Sequence, residues 1–190
     1  MGSSKRFVVA SFFAAITISV LCNSIYGVIV DCLQSGLQIA AILKLAYSFS
    51  LMLFLIKYFI DDVVDDEIKE FEKTTRRSLA SLIIGWTLLL LSSLFAQDIS
   101  ASAAFWTVGM IFITRFLYNN RHLIPHHAWL YLTQNIVLLL LLALIAISYP
   151  NVIVKAPFQL PCSAFVQRTA VALLLASNVS FFLHQLSDDS

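Results

Sequence analysis

Charged residues are scarce in this chain of 190 residues, of which 12% are Asp, Glu, Lys or Arg and 59% are hydrophobic. A soluble domain carries about 25% charged residues, so this composition excludes an ordinary water-soluble fold. Alternation of polar and apolar residues is also missing, because the hydrophobic runs are continuous, and this excludes a transmembrane β-barrel. The sequence therefore predicts an all-α bundle of helices that crosses the lipid bilayer several times.

Motifs for catalysis or for holding a cofactor are also missing. The three cysteines form no Cys-x-x-Cys pair, and the chain has neither a glycine-rich phosphate loop nor a serine in a nucleophile elbow. Cys32 and Cys162 fall on the same predicted side and could pair in an oxidising compartment. We expect no enzymatic activity, no cofactor, no bound metal and no direct contact with nucleic acid.

Six hydrophobic runs are each about 20 residues long, the length at which an α-helix crosses a hydrocarbon core of roughly 30 Å. Residues 1–190 are predicted to form one transmembrane domain. Its predicted spans are 7–30, 37–60, 79–96, 101–118, 128–149 and 163–186. Gly36, residues 97–100 and Pro125 are predicted to mark turns. The fourth run is short and is the first candidate for a re-entrant segment.

Three of the runs end in similar segments, 55–62, 113–120 and 182–189. Each combines apolar residues, one Lys, Arg or His, and a final pair of Asp or Asn. The pattern predicts three helical hairpins of common ancestry. Selection of bases and aromatic residues at a membrane face is the alternative explanation.

Residues 61–78 form a charged block that holds seven of the eleven acids and four of the twelve bases. Lys and Arg are retained on the cytoplasmic side of a membrane, and six spans would place nine of them with this block against two opposite. Both termini are therefore predicted to be cytoplasmic, in a bacterial inner membrane. Val64, Ile68 and Phe71 share one helical face, which predicts that the second helix continues past Ile60.

An apolar stripe within dense charge is typical of a docking surface. We expect the chain to be a homo-oligomeric membrane scaffold or sensor subunit that binds a cytosolic protein, for example in a bacterial antiviral defence or stress system. The predicted partner-binding residues are Asp61, Asp62, Asp65, Asp66, Glu70, Lys73, Arg76, Arg77 and Arg121. The alternative is a solvated helix that only keeps the loop in water.

Polar residues inside the predicted spans support a second interpretation, a small oligomeric channel or transporter. Lys44 lies about two turns into the second span, where a charge costs about 2–3 kcal/mol on insertion scales. No acid lies in any predicted span to pair with it. The accompanying amides either join helices by hydrogen bonds or line a polar pathway. They are Asn23, Gln38, Gln134, Asn135 and Asn178.

The segment 61–66 supports a third interpretation. Its Asp-Asp-Val-Val-Asp-Asp sequence resembles the magnesium-diphosphate motif of prenyltransferases. The resemblance covers six residues and implies Mg²⁺ held by the carboxylates of Asp61, Asp62, Asp65 and Asp66 in an enzyme acting on lipid diphosphates. Such enzymes need a second acidic motif on a facing helix, and the remaining acidic pair is Asp188-Asp189.

Overall fold

The computed structural model describes residues 3–36, 38–63, 76–120, 128–148 and 163–188, and these residues form six α-helices and no strand. The prediction of an all-α fold is confirmed, and each predicted hydrophobic run coincides with one helix. The helices are α1 Ser3–Ser35, α2 Ile39–Val63, α3 Arg76–Leu94, α4 Ile99–Asn120, α5 Ala128–Ser148 and α6 Ser163–Asp188.

Three of these helices are long and apolar enough to cross a membrane, through Ile39–Lys57, Ile99–Asn119 and Phe165–Leu183. The other three contain shorter apolar stretches, Ala15–Asp31, Ala80–Leu94 and Leu132–Ser148. The chain therefore fits an integral membrane protein. The choice of the fourth run as the weakest span was wrong, because α4 has 22 residues and contains one of the three long stretches.

The surface of the bundle differs from that of a soluble protein. Among the described residues, 24 large apolar side chains are exposed, including Trp129, Leu140 and Ile147 along one side of α5. The opposite side of α5 buries Gln134 and Asn135. Lipid tails solvate apolar side chains but offer no hydrogen bonds, so such an arrangement is stable in a bilayer and unfavourable in water.

The six helices form a closed ring in the order α1, α2, α6, α5, α4, α3, in which each helix packs against its two neighbours. Aromatic side chains fill its interior. The indole of Trp106 on α4 is fully buried and lies 5.8 Å from the Tyr47 ring and 5.4 Å from the Phe54 ring, both on α2. Offset or edge-on contacts at these distances are favourable.

Helices α3 and α4 approach most closely where two glycines face each other. A Cβ atom added to Gly85 would lie 2.7 Å from Cγ1 of Ile113 and 3.1 Å from the Gly109 carbonyl oxygen. A Cβ atom on Gly109 would lie 3.1 Å from the Gly85 carbonyl oxygen. Small residues let membrane helices approach in this way, so the two glycines determine the spacing of this pair.

Serine hydroxyls join the helices at one end of the ring, which we call the serine end. Ser92 of α3 and Ser102 of α4 each donate a hydrogen bond to the other's backbone carbonyl, at 2.9 and 2.8 Å. The Tyr47 hydroxyl donates to Ser102 Oγ at 3.0 Å. Ser100 continues the pattern by donating to the Ala146 carbonyl on α5. Three helix pairs are thus held at this end by short polar contacts.

The turn between α3 and α4 occupies residues 95–98, two residues earlier than predicted. Asp98 explains the shift, since its Oδ1 accepts hydrogen bonds from the backbone N–H groups of Ser100 and Ala101, both at 3.1 Å. An Asp at this position caps the first turn of a helix. Helix α4 therefore begins directly after it.

Helix α1 extends beyond this turn. Gln97 of the turn donates a hydrogen bond to the Ser24 carbonyl at 3.0 Å and lies next to Gly27. The last eight residues of α1, 28–35, then rise about 12 Å further. The break predicted at Asp31 was wrong, because α1 continues to Ser35. The predicted turn at Gly36 is confirmed by its φ of 81°, which glycine adopts without strain.

Candidate functional site

The predicted docking block lies mostly outside the described residues. Asp65, Asp66, Glu70, Lys73 and Arg121 belong to 64–75 and 121–127, which the structure does not describe. Helix α2 continues past Ile60 through Asp61 and Asp62 and ends at Val63, and α3 begins at Arg76 and Arg77. Because α1 lies between α2 and α3 in the ring, residues 64–75 must connect two helices that are not neighbours.

Among the residues whose burial is described, Lys57 of α2 is a buried charged side chain, with 5% of its surface exposed. Its Nζ donates a hydrogen bond of 2.5 Å to Oε1 of Gln134 on α5 and lies 5.4 Å from the ring centroid of Phe181 on α6. Charge-assisted hydrogen bonds and cation–π contacts both offset the loss of water around an ammonium.

Lys57 is deep in the bundle and not at its edge. It follows Tyr47, which contacts the serine end, by ten residues, or about 15 Å of helix. Helix α4 continues to Asn120, about 27 Å beyond Ser102. The sequence alone placed Lys57 among the cytoplasmic flanking bases. The predicted continuation of the second helix past Ile60 could have identified it, because the helix then ends beyond Lys57, at Val63.

Amides extend this polar region along the same helices. Asn178 of α6 donates a hydrogen bond of 2.7 Å to Ser50 of α2, and both residues are buried. Asn135, next to Gln134, is also buried and hydrogen-bonded or otherwise paired. Nε2 of Gln134 has no hydrogen-bond partner among the described residues. The predicted intramembrane amides Gln134, Asn135 and Asn178 therefore lie inside the bundle, where Gln134 joins α5 to α2 and Asn178 joins α6 to α2.

Lys44 lies on α2, which coincides with the predicted second span. It lies near the start of α2, beside the part of α1 that extends beyond the α3–α4 turn, and it lines a cavity of about 280 Å³. Asp31 of α1, which lies outside the predicted spans, lines the same cavity. The lining residues are Val28, Asp31, Gln34, Gln38, Ala40, Ala41 and Lys44. Asn23 is exposed beside Ser24, at the level of the turn.

The magnesium and disulfide hypotheses depend on residues that the structure does not describe. Among described residues no group of three or more His, Cys, Asp or Glu could hold a metal ion. Asp65 and Asp66 lie outside that set, as does Cys162. Cys22 is a free, exposed thiol on α1.

No protein-family model matches the chain, and no curated protein or solved structure is significantly similar to it. Its function is therefore inferred from its own residues and their geometry.

Proposed function

We propose that the protein is a non-enzymatic, homo-oligomeric membrane scaffold or sensor subunit that docks a cytosolic protein through its charged face. In this proposal all six helices cross a bacterial inner membrane as three hairpins, and both termini are cytoplasmic. The system it serves would be one of bacterial defence or stress response.

The observation that carries this proposal is an apolar exposed surface around a filled interior. The exposed surface is apolar, the buried serines and amides join helices, and Trp106 packs with Tyr47 and Phe54 across the ring. A bundle packed in this way provides a rigid body in lipid without a passage through the middle of one copy. Such a body suits anchoring and signalling better than conduction.

Hydrogen bonds between helix ends support six crossings. The end of α3 contacts the start of α4, and the end of α5 contacts the start of α6 through Gln167, which donates to the Ser148 carbonyl. Adjacent helices in the sequence therefore run in opposite directions where these bonds form. The alternation is what six consecutive crossings require.

The position of the charged block supports docking. Its first residues end α2 at Val63 and its last residues begin α3 at Arg76, and both helix ends lie on the side of the ring opposite the serine end. Seven acids and four bases within 61–78 are concentrated there, whereas the apolar remainder of the chain contacts lipid. A charged surface of this kind steers and selects a protein partner.

Affinity purification tests the docking proposal. The block variant carries Asn in place of Asp61, Asp62, Asp65 and Asp66, and the control is Asp98→Asn, which removes an acid at the opposite end while preserving a helix cap. We expect the block variant to lose a partner that wild type and control both retain. Retention of the partner together with loss of Mg²⁺-dependent turnover of a lipid diphosphate would support the prenyltransferase-like alternative instead.

Cysteine accessibility tests the arrangement in the membrane. In a cysteine-free chain, single cysteines at Glu67 and Asn151 are probed with a membrane-impermeant maleimide on intact cells and on inverted vesicles. We expect Glu67→Cys to react only in inverted vesicles and Asn151→Cys only in intact cells. Reaction of both from the same side would rule out the proposed crossings.

Lys57 supports a second candidate function, a channel or transporter assembled from several copies. An ionisable residue within the membrane is often part of a substrate or ion path. The hydrogen-bonded Asn178–Ser50 pair lies on α2 and α6, further along α2 from Lys57, and extends the polar region. Conductance or flux in reconstituted bilayers distinguishes the two functions. A pathway requires Lys57→Met to change ion selectivity, with Lys44→Leu as the comparison. A scaffold shows no flux above empty membranes.

A further inference from the structure

We propose that the cavity between the end of α1 and the start of α2 binds the zwitterionic headgroup of a phospholipid with a primary ammonium, a phosphatidylethanolamine. The cavity has opposite charges on its two walls, Asp31 on α1 and Lys44 on α2. A carboxylate accepts several hydrogen bonds, so Asp31 can accept one from an ammonium in addition to the interaction it already makes, while a phosphate is attracted to the lysine.

Neutral residues complete the site. The side chains of Gln34 and Gln38 provide donors and acceptors for phosphate and glycerol oxygens. Ala40 and Ala41 leave the space open, because larger side chains there would fill it. A volume of about 280 Å³ is at the low end for ligand cavities, which suits a headgroup better than a larger molecule.

The surroundings of the cavity favour a lipid over a free zwitterion. On the two helix segments that line it, Leu33, Ile39 and Ile42 are exposed, with 81%, 56% and 43% of their surfaces accessible. Acyl chains of a lipid would cover these side chains, whereas a soluble zwitterion would leave them in place. The residues 28–35 that form one wall extend beyond the α3–α4 turn, where headgroups begin in the proposed arrangement.

Lys44 is available for this role. No hydrogen bond or ion pair joins it to another residue in the part of the chain that the structure describes, although Asp31 lines the same cavity. A lysine at a membrane surface binds lipid phosphate as a point charge. The position of Lys44 is thus explained by a ligand and needs no aqueous pathway.

Lipid titration of the delipidated full chain, followed by native mass spectrometry, tests the inference. The probes are phosphatidylethanolamine, phosphatidylcholine and phosphatidylglycerol with identical acyl chains. We expect wild type to bind the first about tenfold more tightly than the other two, since only it offers N–H donors to Asp31 together with a phosphate for Lys44.

Three variants separate the parts of the site. Asp31→Asn should abolish the preference for phosphatidylethanolamine, Lys44→Gln should weaken binding of all three lipids, and Ala41→Leu should do the same by filling the cavity. Asp98→Asn and Arg168→Gln are matched controls, because each removes one exposed charge outside the cavity. Both should retain the wild-type preference.

Equal binding of the three lipids by wild type, or an unchanged preference in Asp31→Asn, would overturn the proposal. Displacement of the lipid by equimolar glycerophosphoethanolamine would assign the site to a soluble zwitterion and reject the lipid. The binding partner of the charged block is at the opposite end of the bundle. Failure of lipid selectivity with intact partner capture would therefore reject this inference and leave the docking proposal standing.

Discussion

Substitution of Gly85 by Ala tests whether the close approach of α3 and α4 is required for stability. The added Cβ would lie 2.7 Å from Cγ1 of Ile113, nearer than carbon atoms pack, and 3.1 Å from the carbonyl oxygen of Gly109. Cγ1 is held near the Ile113 backbone and cannot swing away freely. One helix must therefore shift, and overpacking of this kind costs about 1–3 kcal/mol.

Gly27→Ala is the matched control. Its added Cβ would lie 3.6 Å from Nε2 of Gln97, an ordinary contact. Replacing Gly by Ala within a helix stabilises it by about 0.5–1 kcal/mol, and this gain applies to both variants. The difference between Gly85→Ala and Gly27→Ala therefore isolates the steric effect, and we expect Gly85→Ala to be less stable by about 1–3 kcal/mol.

The assay is unfolding of purified protein in mild detergent, followed by circular dichroism or by reactivity of the thiols. Ile113→Ala provides a further check, since it removes the atom that Gly85→Ala would strike. The double variant should be more stable than the sum of the two single effects predicts, because the clash is absent from it. Equal stability of Gly85→Ala and Gly27→Ala would show that the two glycines do not determine the spacing of α3 and α4.

Three further substitutions can be tested by the same unfolding assay. Gln134→Leu should destabilise the bundle by about 1–3 kcal/mol, because it removes the buried hydrogen-bond acceptor of Lys57. Adding Lys57→Met should restore part of the lost stability, since an apolar pair can replace a buried polar one. A greater loss in the double variant would contradict this. Asp98→Ala should cost about 0.5–2 kcal/mol, whereas Asp98→Asn should be close to wild type; similar losses would argue against capping. Ser102→Ala should cost about 1 kcal/mol through its bonds to Ser92 and Tyr47, and an effect no larger than that of the exposed Ser180→Ala would contradict it.

The helices and several turns could be predicted from the sequence because they depend on local chemistry. Runs of apolar residues predicted all six helices, and Gly36 was recognised since only glycine readily adopts a positive φ. The ends were less predictable. Asp31 suggested a break, but a polar residue in a helix that extends beyond the α3–α4 turn carries no penalty, so α1 continued.

The two lysines show why the candidate site could be predicted only in part. Lys44 lies near the start of α2, within the predicted second span. Lys57 lies near the end of that span, where a base is expected to flank the membrane, yet its side chain is buried and bonded to Gln134. Which helices are neighbours depends on packing, so the Lys57–Gln134 pair was not accessible from the sequence.

The order of helices in the ring has a consequence for biosynthesis. Helix α6 is synthesised after the other five helices, yet it lies between α2 and α5 and completes the circle. Until the ribosome has released it, the earlier helices form an open arc in which Ser50 lacks its Asn178 partner and Lys57 lacks the Phe181 ring. A nascent chain halted before residue 163 would therefore expose a buried cation to the bilayer, a defect by which membrane quality-control proteases could recognise an unfinished copy.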